Sequence, residues 1–167
     1  MRKKIAWLCL GLFVLVLDMA SKFAVYRFMI CKGSDSIVLL DDFFGIRLLI
    51  TPVVNLGAAW GILAEHSLGL LLFRLCLIVG LAFYIFFSKK RLSHPKALSL
   101  ILFGALSNVL DFFIYGYVID MVHCVFWGYH YPVFNVADSA ICLGVAWIAF
   151  STLFGTKKRL QSDACFR

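Results

Sequence analysis

Long apolar stretches alternate with short basic clusters along this 167-residue chain. A helix needs about 20 mainly apolar residues to cross a bilayer, and four stretches approach or reach that length. They cover residues 5–25, 67–87, 97–114 and 137–154. The external segments that join them, residues 28–66 and 115–136, are richer in polar and aromatic residues. The pattern predicts one membrane domain, an all-α bundle of four transmembrane helices.

The first external segment contains a pattern that is typical of strands. Residues 36–44 and 46–54 are rich in β-branched and aromatic side chains and are separated by Gly45. We therefore expect a small extracytoplasmic β-sheet between the first and second spans. The residues from Asn55 to Gly61 are too polar and glycine-rich for a simple strand. They form either an ordinary re-entrant turn or a place where the Asn55 amide meets another backbone.

The net charge of +7 invites a nucleic-acid partner, but the distribution of the basic residues argues against one. Most of them stand in three clusters that flank the apolar spans on one predicted side. These are Arg2–Lys4, Lys89–Arg91 with Lys96, and Lys157–Arg159 with Arg167. Such clusters mark the cytoplasmic side of a membrane protein, so both termini are predicted to be cytoplasmic. With 63% hydrophobic residues, we expect a membrane protein that binds no nucleic acid.

The six cysteines form no CxxC pair. Cys31 and Cys124 both fall in predicted external segments, where a disulfide would form if their backbones came close enough. The sequence leaves that question open.

Charged residues inside the spans are costly unless they are paired, so each is a candidate for function. Asp18 and Lys22 are four residues apart and share one helix face. The pair is either a helix-end ion pair with Lys22 reaching to the interface or a scaffold for an extracytoplasmic site. Arg74 either reaches outward or meets an acid within the bundle.

The third span carries a polar stripe at Gly104, Asn108 and Asp111, which helical spacing places on one face. Lipid cannot satisfy these groups, so the face should point into the bundle. Polar contacts between helices are one explanation. A role in supporting a site is favoured, since helix association alone rarely needs a carboxylate.

Two acids near the predicted outer surface are the candidates for catalysis. Asp138 begins the last span, and Asp120 precedes it in the same external loop. Two carboxylates that share a site cannot both ionise easily, so one keeps a proton near neutral pH. The ionised acid can then take a proton from water while the protonated one polarises a peptide carbonyl. The alternative is two unrelated, solvated loop acids.

Other catalytic designs find less support in the chain. The sequence has no HExxH zinc motif and no GxSxG elbow for a serine nucleophile. Asp120, His123, Cys124 and His130 match no defensible pattern of metal ligands. We expect neither a metal nor a cofactor.

Taken together, these motifs resemble the lipoprotein signal peptidases, or signal peptidase II, of bacterial inner membranes. The similarity covers four spans and the order of the motifs, and the last motif is the most specific. The motifs are Asp18 with Lys22, the block from Asn55 through Gly57 to Gly61, Gly104–Asp111, Gly116–Asp120 and Phe134–Asp138.

The resemblance implies an aspartic endopeptidase that removes the signal peptide of diacylglyceryl-modified prolipoproteins just before the lipidated cysteine. Asp120 and Asp138 match its catalytic pair, and the active site would lie near the outer face of the inner membrane. Asn55, Asn108 and Asn135 would bind the substrate backbone or orient the acids, with Asp18 and Asp111 as supports. The partners would be prolipoproteins and membrane lipid, and we expect a monomer with a sheet that cradles the substrate.

Two positions depart from the family pattern. Phe112 stands where the family usually has arginine, and Ser107 replaces a glycine. We hypothesise that Arg74 or Arg47 supplies the missing cation.

Two other functions remain open on sequence alone. A small proton-coupled transporter would use Asp18, Asp111 and Asp138 as a proton relay. A non-catalytic scaffold would bind lipid-modified proteins in the same groove. Exchanging Asp120 or Asp138 for asparagine distinguishes them, because only an enzyme would lose turnover while it kept binding.

Overall fold

The computed structural model describes residues 2–33, 35–56, 67–88 and 92–164. The helices are α1 (Arg2–Val25, continued by a π-helical turn at Tyr26–Ile30), α2 (Ser67–Phe87), α3 (Pro95–Tyr115) and α4 (Val136–Ala164). The strands are β1 (Ile37–Phe43), β2 (Ile46–Asn55), β3 (Val118–Phe126) and β4 (Tyr129–His130).

Four helices within the described residues are long and apolar enough to cross a membrane. The spans are Ala6–Ile30, Leu68–Phe87, Pro95–Tyr115 and Val136–Phe154. Large apolar side chains such as Phe13, Phe83 and Leu143 point outward and are more than 60% exposed. This surface suits hydrocarbon, in which the backbone polar groups must be paired inside helices. The predicted fold class, a four-helix membrane bundle with a small sheet, is confirmed.

Helix α3 is the centre of the bundle and packs against α1, α2 and α4. Its contact with α4 depends on glycines. A Cβ atom at Gly104 would lie 2.8 Å from the backbone oxygen of Ala137, and one at Gly144 would lie 2.7 Å from that of Ala97. Small residues let two backbones approach this closely, which is a common way to join helices in membranes. The approach brings the polar stripe of α3 against the start of α4.

The sheet is larger than the sequence predicts. Its four antiparallel strands follow the order β1-β2-β3-β4, so half of them come from the second external segment. The expectation that Asp120 lies in a loop is wrong, because Asp120 sits within β3 opposite Val53 of β2. The pattern of β3 is strand-like, but its partner β2 is distant in the chain. Local patterns do not reveal such long-range pairing.

Two tight turns lie side by side at one end of the sheet, where the N–H of Trp127 bonds to the oxygen of Gly45. The residue pairs Phe44–Gly45 and Trp127–Gly128 join successive strands, and all four residues have positive φ angles. Two-residue hairpin turns with positive φ at both positions match the natural twist of paired strands. At the other end, Gly116 adopts φ 83° and its N–H bonds to the oxygen of Phe112, which ends α3. The chain then reverses directly into β3.

Candidate active site

A fully buried ion cluster lies near the end of the bundle that contacts the sheet. The Nζ atom of Lys22 lies 2.6 Å from Asp18 Oδ2 and 2.7 Å from Asp111 Oδ2, and all three side chains are 0% exposed. The interpretation in which Lys22 reaches to the membrane surface is therefore wrong. A buried charge is tolerated only with partners, and here one cation serves two acids. The cluster ties α1 to α3.

Asp18 also holds the beginning of α4. Its Oδ1 atom accepts a 2.8 Å hydrogen bond from the backbone N–H of Ala137, and its Oδ2 atom accepts one from the hydroxyl of Ser107. The first N–H groups of a helix have no partner within the helix, so an acid from α1 satisfies one here. In the sequence, Ser107 stands out only as a departure from a family pattern. Its position four residues before Asp111 was the available sign that it faces the cluster.

Asp138 lies in the first turn of α4 and forms a reciprocal cap with Asn135. The side-chain oxygen of Asn135 accepts the N–H of Asp138 at 2.8 Å, and Asp138 Oδ2 accepts the N–H of Asn135 at 3.3 Å. This is the geometry of a capping box, and it fixes the carboxylate at the helix start. Asn108 of α3 donates its amide to Asp138 Oδ1 at 2.8 Å. In turn, Lys22 donates to the Asn108 oxygen at 2.8 Å.

Asn135 also reaches the second acid, Asp120. Its Nδ2 atom donates to Asp120 Oδ1 at 2.7 Å and also lies 3.1 Å from the oxygen of Asn108. Asn55, the last residue of β2, donates to Asp120 Oδ2 at 2.9 Å. The asparagine amides thus connect both acids to one network, so their separation depends on the sheet and on three helices together.

Burial changes the ionisation of Asp120, which is only 2% exposed. Desolvation is the largest cause that raises the pKa of its carboxyl, and the negative charge of Asp138 adds to it. The hydrogen bonds from Asn55 and Asn135 and the charge of Lys22 act in the opposite direction. The resulting pKa is about 6, so the group retains a proton well above the usual range for aspartate.

The two candidate arginines lie in different places. Arg74 is half-buried on the face of α2 that turns toward α3, and its charge interacts with both Asp138 and Asp120. Arg47 lies on the hairpin, where its Nε bonds to the exposed Asp41 at 2.9 Å. Of the two arginines, Arg74 is therefore the one whose charge acts on the two acids.

Other candidate chemistry lies elsewhere or has no ligand set. Among the described residues, no group of three or more His, Cys, Asp or Glu side chains could hold a metal ion. His123 and His130 contact each other through ring nitrogens 3.0 Å apart on the sheet. Cys31 and Cys124 are both free thiols. Gly57 and the rest of its block to Gly61 lie outside the described residues, as do residues 62–66.

Comparisons with known proteins agree with this architecture. The sequence profile of the family described as signal peptidase (SPase) II matches residues 10–154. A bacterial membrane enzyme solved by the in meso method at 2.3 Å resolution is similar with a TM-score of 0.77 and 29% identity, over 92% of this chain and 90% of that one. A second, solved at 1.9 Å, has a TM-score of 0.72 and 28% identity, over 89% of this chain and 92% of that one.

Proposed function

Because the chain belongs to the signal peptidase II family, a family of peptidases, we propose that it is an aspartic endopeptidase that processes prolipoproteins. Its substrate is a precursor whose cysteine carries diacylglyceryl, and the bond cut is the one just before that cysteine. One observation carries the aspartic assignment: Asn135 bonds to both Asp120 and Asp138, the acids that the sequence singles out.

The proposed mechanism uses one shared proton. One carboxylate takes a proton from water, whose oxygen attacks the carbonyl carbon, while the other acid gives its proton to the carbonyl oxygen. The tetrahedral intermediate then loses the amine: the C–N bond breaks, the first acid protonates the leaving nitrogen, and the second recovers its proton from the diol. The pKa of Asp120, about 6, supports this mechanism because the carboxyl keeps its proton up to about pH 6, well above the ordinary range of aspartate.

The other polar residues have supporting roles in this proposal. Asn108 and Asn135 orient the acids, and their hydrogen bonds are already directed at them. Asn55 holds Asp120 from the sheet side, and Gly57 follows it in the segment proposed to meet the substrate backbone. Asp18, Lys22 and Asp111 hold the helices that carry the acids. Arg74 supplies the positive charge beside the acids.

The setting of the site is part of the same proposal. Basic clusters flank the ends of the spans opposite the sheet, which favours cytoplasmic termini and a sheet on the outer face. A multi-pass protein of this type in the inner membrane would receive the substrate laterally from the bilayer. Asp120 and Asp138 would then lie at the level of the lipid-bearing cysteine. The protein would act as a monomer, since both acids come from one chain.

The test is cleavage of a diacylglyceryl-modified prolipoprotein by the purified protein in detergent. We expect cleavage before the lipidated cysteine, and a loss of rate of about 10²–10⁴-fold or more in Asp120→Asn and Asp138→Asn. The matched control is Asp41→Asn, which changes an exposed acid of the hairpin. A precursor with an unmodified cysteine controls for the lipid. A folded wild type that cleaves no such precursor, or an active Asp120→Asn variant, would refute the proposal.

A further inference from the structure

The site holds more carboxylates than cations within the described residues. Its acids are Asp18, Asp111, Asp120 and Asp138, and its cations are Lys22 and Arg74. Charges in a water-poor environment repel strongly, so such a cluster holds at least one proton near neutral pH. The question is which carboxyl group carries it, and this decides the roles of the two acids of the proposed enzyme.

We infer that the two acids differ in protonation: Asp138 is the ionised base, and Asp120 carries the proton. Lys22, acting through Asn108, stabilises the negative charge of Asp138. This inference rests on the proposed function for the meaning of the roles. The protonation pattern itself is a property of the resting protein.

Asp138 has the surroundings of an anion. It lies in the first turn of α4, where the helix dipole favours negative charge. Its oxygens accept hydrogen bonds from the backbone N–H of Asn135 and from the amide of Asn108. That amide is polarised because Lys22 binds its oxygen at 2.8 Å. The charges that face Asp138 from the packed helices are Lys22, Asp18 and Arg74, with Asp120 on the adjacent strand.

Asp120 has fewer supports for a negative charge. It lies in a strand, away from any helix start, and it is almost completely buried. Its donors are the neutral side-chain amides of Asn55 and Asn135. The charges that reach it are those of Asp138, Lys22 and Arg74. Burial raises the pKa of its carboxyl to about 6, in agreement with this difference.

The other two acids of the site, Asp18 and Asp111, differ in the number of donors that they contact. Asp18 pairs with Lys22 and also accepts hydrogen bonds from Ser107 and the N–H of Ala137. Asp111 receives Lys22 and the N–H of Ile119 on one oxygen, while its other oxygen has no hydrogen-bond partner among the described residues. Asp111 is thus the competitor of Asp120 for the proton, and the experiment must separate them.

Infrared titration of the carboxyl C=O band in the detergent-solubilised protein tests the assignment without turnover. The wild type is measured at pH 5.5, which lies above the ordinary pKa of aspartate and below the pKa of Asp120. There we expect a band whose intensity corresponds to about one protonated carboxyl group. The band should disappear in Asp120→Asn and persist in Asp111→Asn. In Asp138→Asn the band should still belong to Asp120. The pH at which it disappears during titration with base should be lower than in the wild type, because a repelling charge is gone. A band that disappears in Asp138→Asn or Asp111→Asn, but survives in Asp120→Asn, overturns the inference.

pH–rate profiles test Asn108 as the positioning residue through which Lys22 acts on Asp138. Asn108→Ala should move the acidic limb of the pH–rate profile upward by about one pH unit, because the base loses its polarised donor. Asn55→Ala should instead move the alkaline limb upward, because the acid loses a donor to its ionised form. Equal movement of both limbs in each variant would contradict the asymmetry.

Failure of the inference and failure of the proposed function are distinguishable. A protein that shows the Asp120 band but cleaves no prolipoprotein retains the asymmetry and loses the proposed function. A protein that cleaves normally while the band belongs to Asp138 or Asp111 keeps the function and loses the asymmetry.

Discussion

Asn135 donates a 2.7 Å hydrogen bond to Asp120 while its side-chain oxygen accepts the backbone N–H of Asp138. One fully buried amide therefore links a strand to the first turn of a helix. The relationship makes the geometry of the two acids depend on a residue that is itself inaccessible to substrate.

Replacing Asn135 should separate the two acids. Asn135→Ala removes the side-chain oxygen that caps α4 at the N–H of Asp138, at a cost of about 1 kcal/mol, and it removes the side-chain donor of Asp120. We expect turnover to fall by about 10²-fold or more with only a modest drop in melting temperature. The control is Ser139→Ala, since Ser139 bonds only to the Asn135 backbone oxygen at 3.1 Å. Normal turnover in Asn135→Ala would contradict the proposed positioning.

Removing the buried cation should destabilise the whole bundle. Lys22→Met leaves Asp18 and Asp111 without their charge partner, and breaking a buried ion pair costs about 3–5 kcal/mol. We expect a large fall in the melting temperature in detergent. Lys32→Met changes an exposed lysine that lies over the ring of Phe28, and should shift the free energy of unfolding by less than about 1 kcal/mol. Equal melting temperatures for the two variants would disprove the role of the buried cluster.

Arg74 should matter for cleavage and Arg47 should not. Arg74→Met removes the cation whose charge interacts with both acids, and we expect a loss of catalytic efficiency of about 10-fold or more. Arg47→Ala breaks only an exposed pair with Asp41, which is worth about 0–1 kcal/mol.

A double variant that moves the arginine from position 74 to position 112 is a second test of the substituted cation. Phe112 of α3 packs in the same apolar cluster as Leu71 and Leu75, which flank Arg74 on α2. Introducing Phe112→Arg into the Arg74→Met background should recover part of the lost activity from the neighbouring helix. If Arg74→Met and Arg47→Ala both cleave normally, the hypothesis of a substituted cation is wrong.

The contact between α3 and α4 should be sensitive to a single methyl group. Gly104→Ala places a carbon 2.8 Å from the Ala137 backbone oxygen, too close without movement of a helix. Overpacking of this kind costs about 1–3 kcal/mol, and here it also shifts Asp138 relative to Asn108. Gly80→Ala is the matched control, since nothing lies within 4 Å of its added carbon. Similar melting temperatures and rates for both variants would refute the close packing.

The stability of the fold should depend on pH through Asp120. The pKa of its carboxyl is about 6 in the folded protein, against an ordinary 3.8, so the folded state binds more protons between these values. Stability therefore decreases as pH rises through this window and is constant above it. From pH 4 to pH 6 the melting temperature of Asp120→Asn should rise relative to that of the wild type. The corresponding change in the difference of unfolding free energy is at most about 3 kcal/mol. A difference that is the same at every pH would contradict the raised pKa.

Local patterns were sufficient for the parts of the fold that local interactions decide. The four spans follow from apolar stretches of membrane length, because lipid requires a continuous helix with its backbone bonds satisfied internally. The pairing of Asp18 with Lys22 follows from helical spacing, and the first hairpin follows from two strand-like stretches around Gly45. Each of these features depends on residues that are close in the chain.

The tertiary structure decided the features that join distant residues. The chain pattern predicted Asp120 in an exposed loop, yet pairing with β2 buries it in a strand. Lys22 has a second acid, Asp111, on another helix, which spacing within α1 could not indicate.

The sequence by itself therefore determined the membrane architecture and the residue types available for chemistry. Only the packed bundle decided which of these residues share a hydrogen-bond network and how deeply each is buried. The physical reason is that hydrophobic length and helical spacing act within a segment. Burial, charge pairing and the ionisation of a carboxyl instead depend on every element that surrounds it.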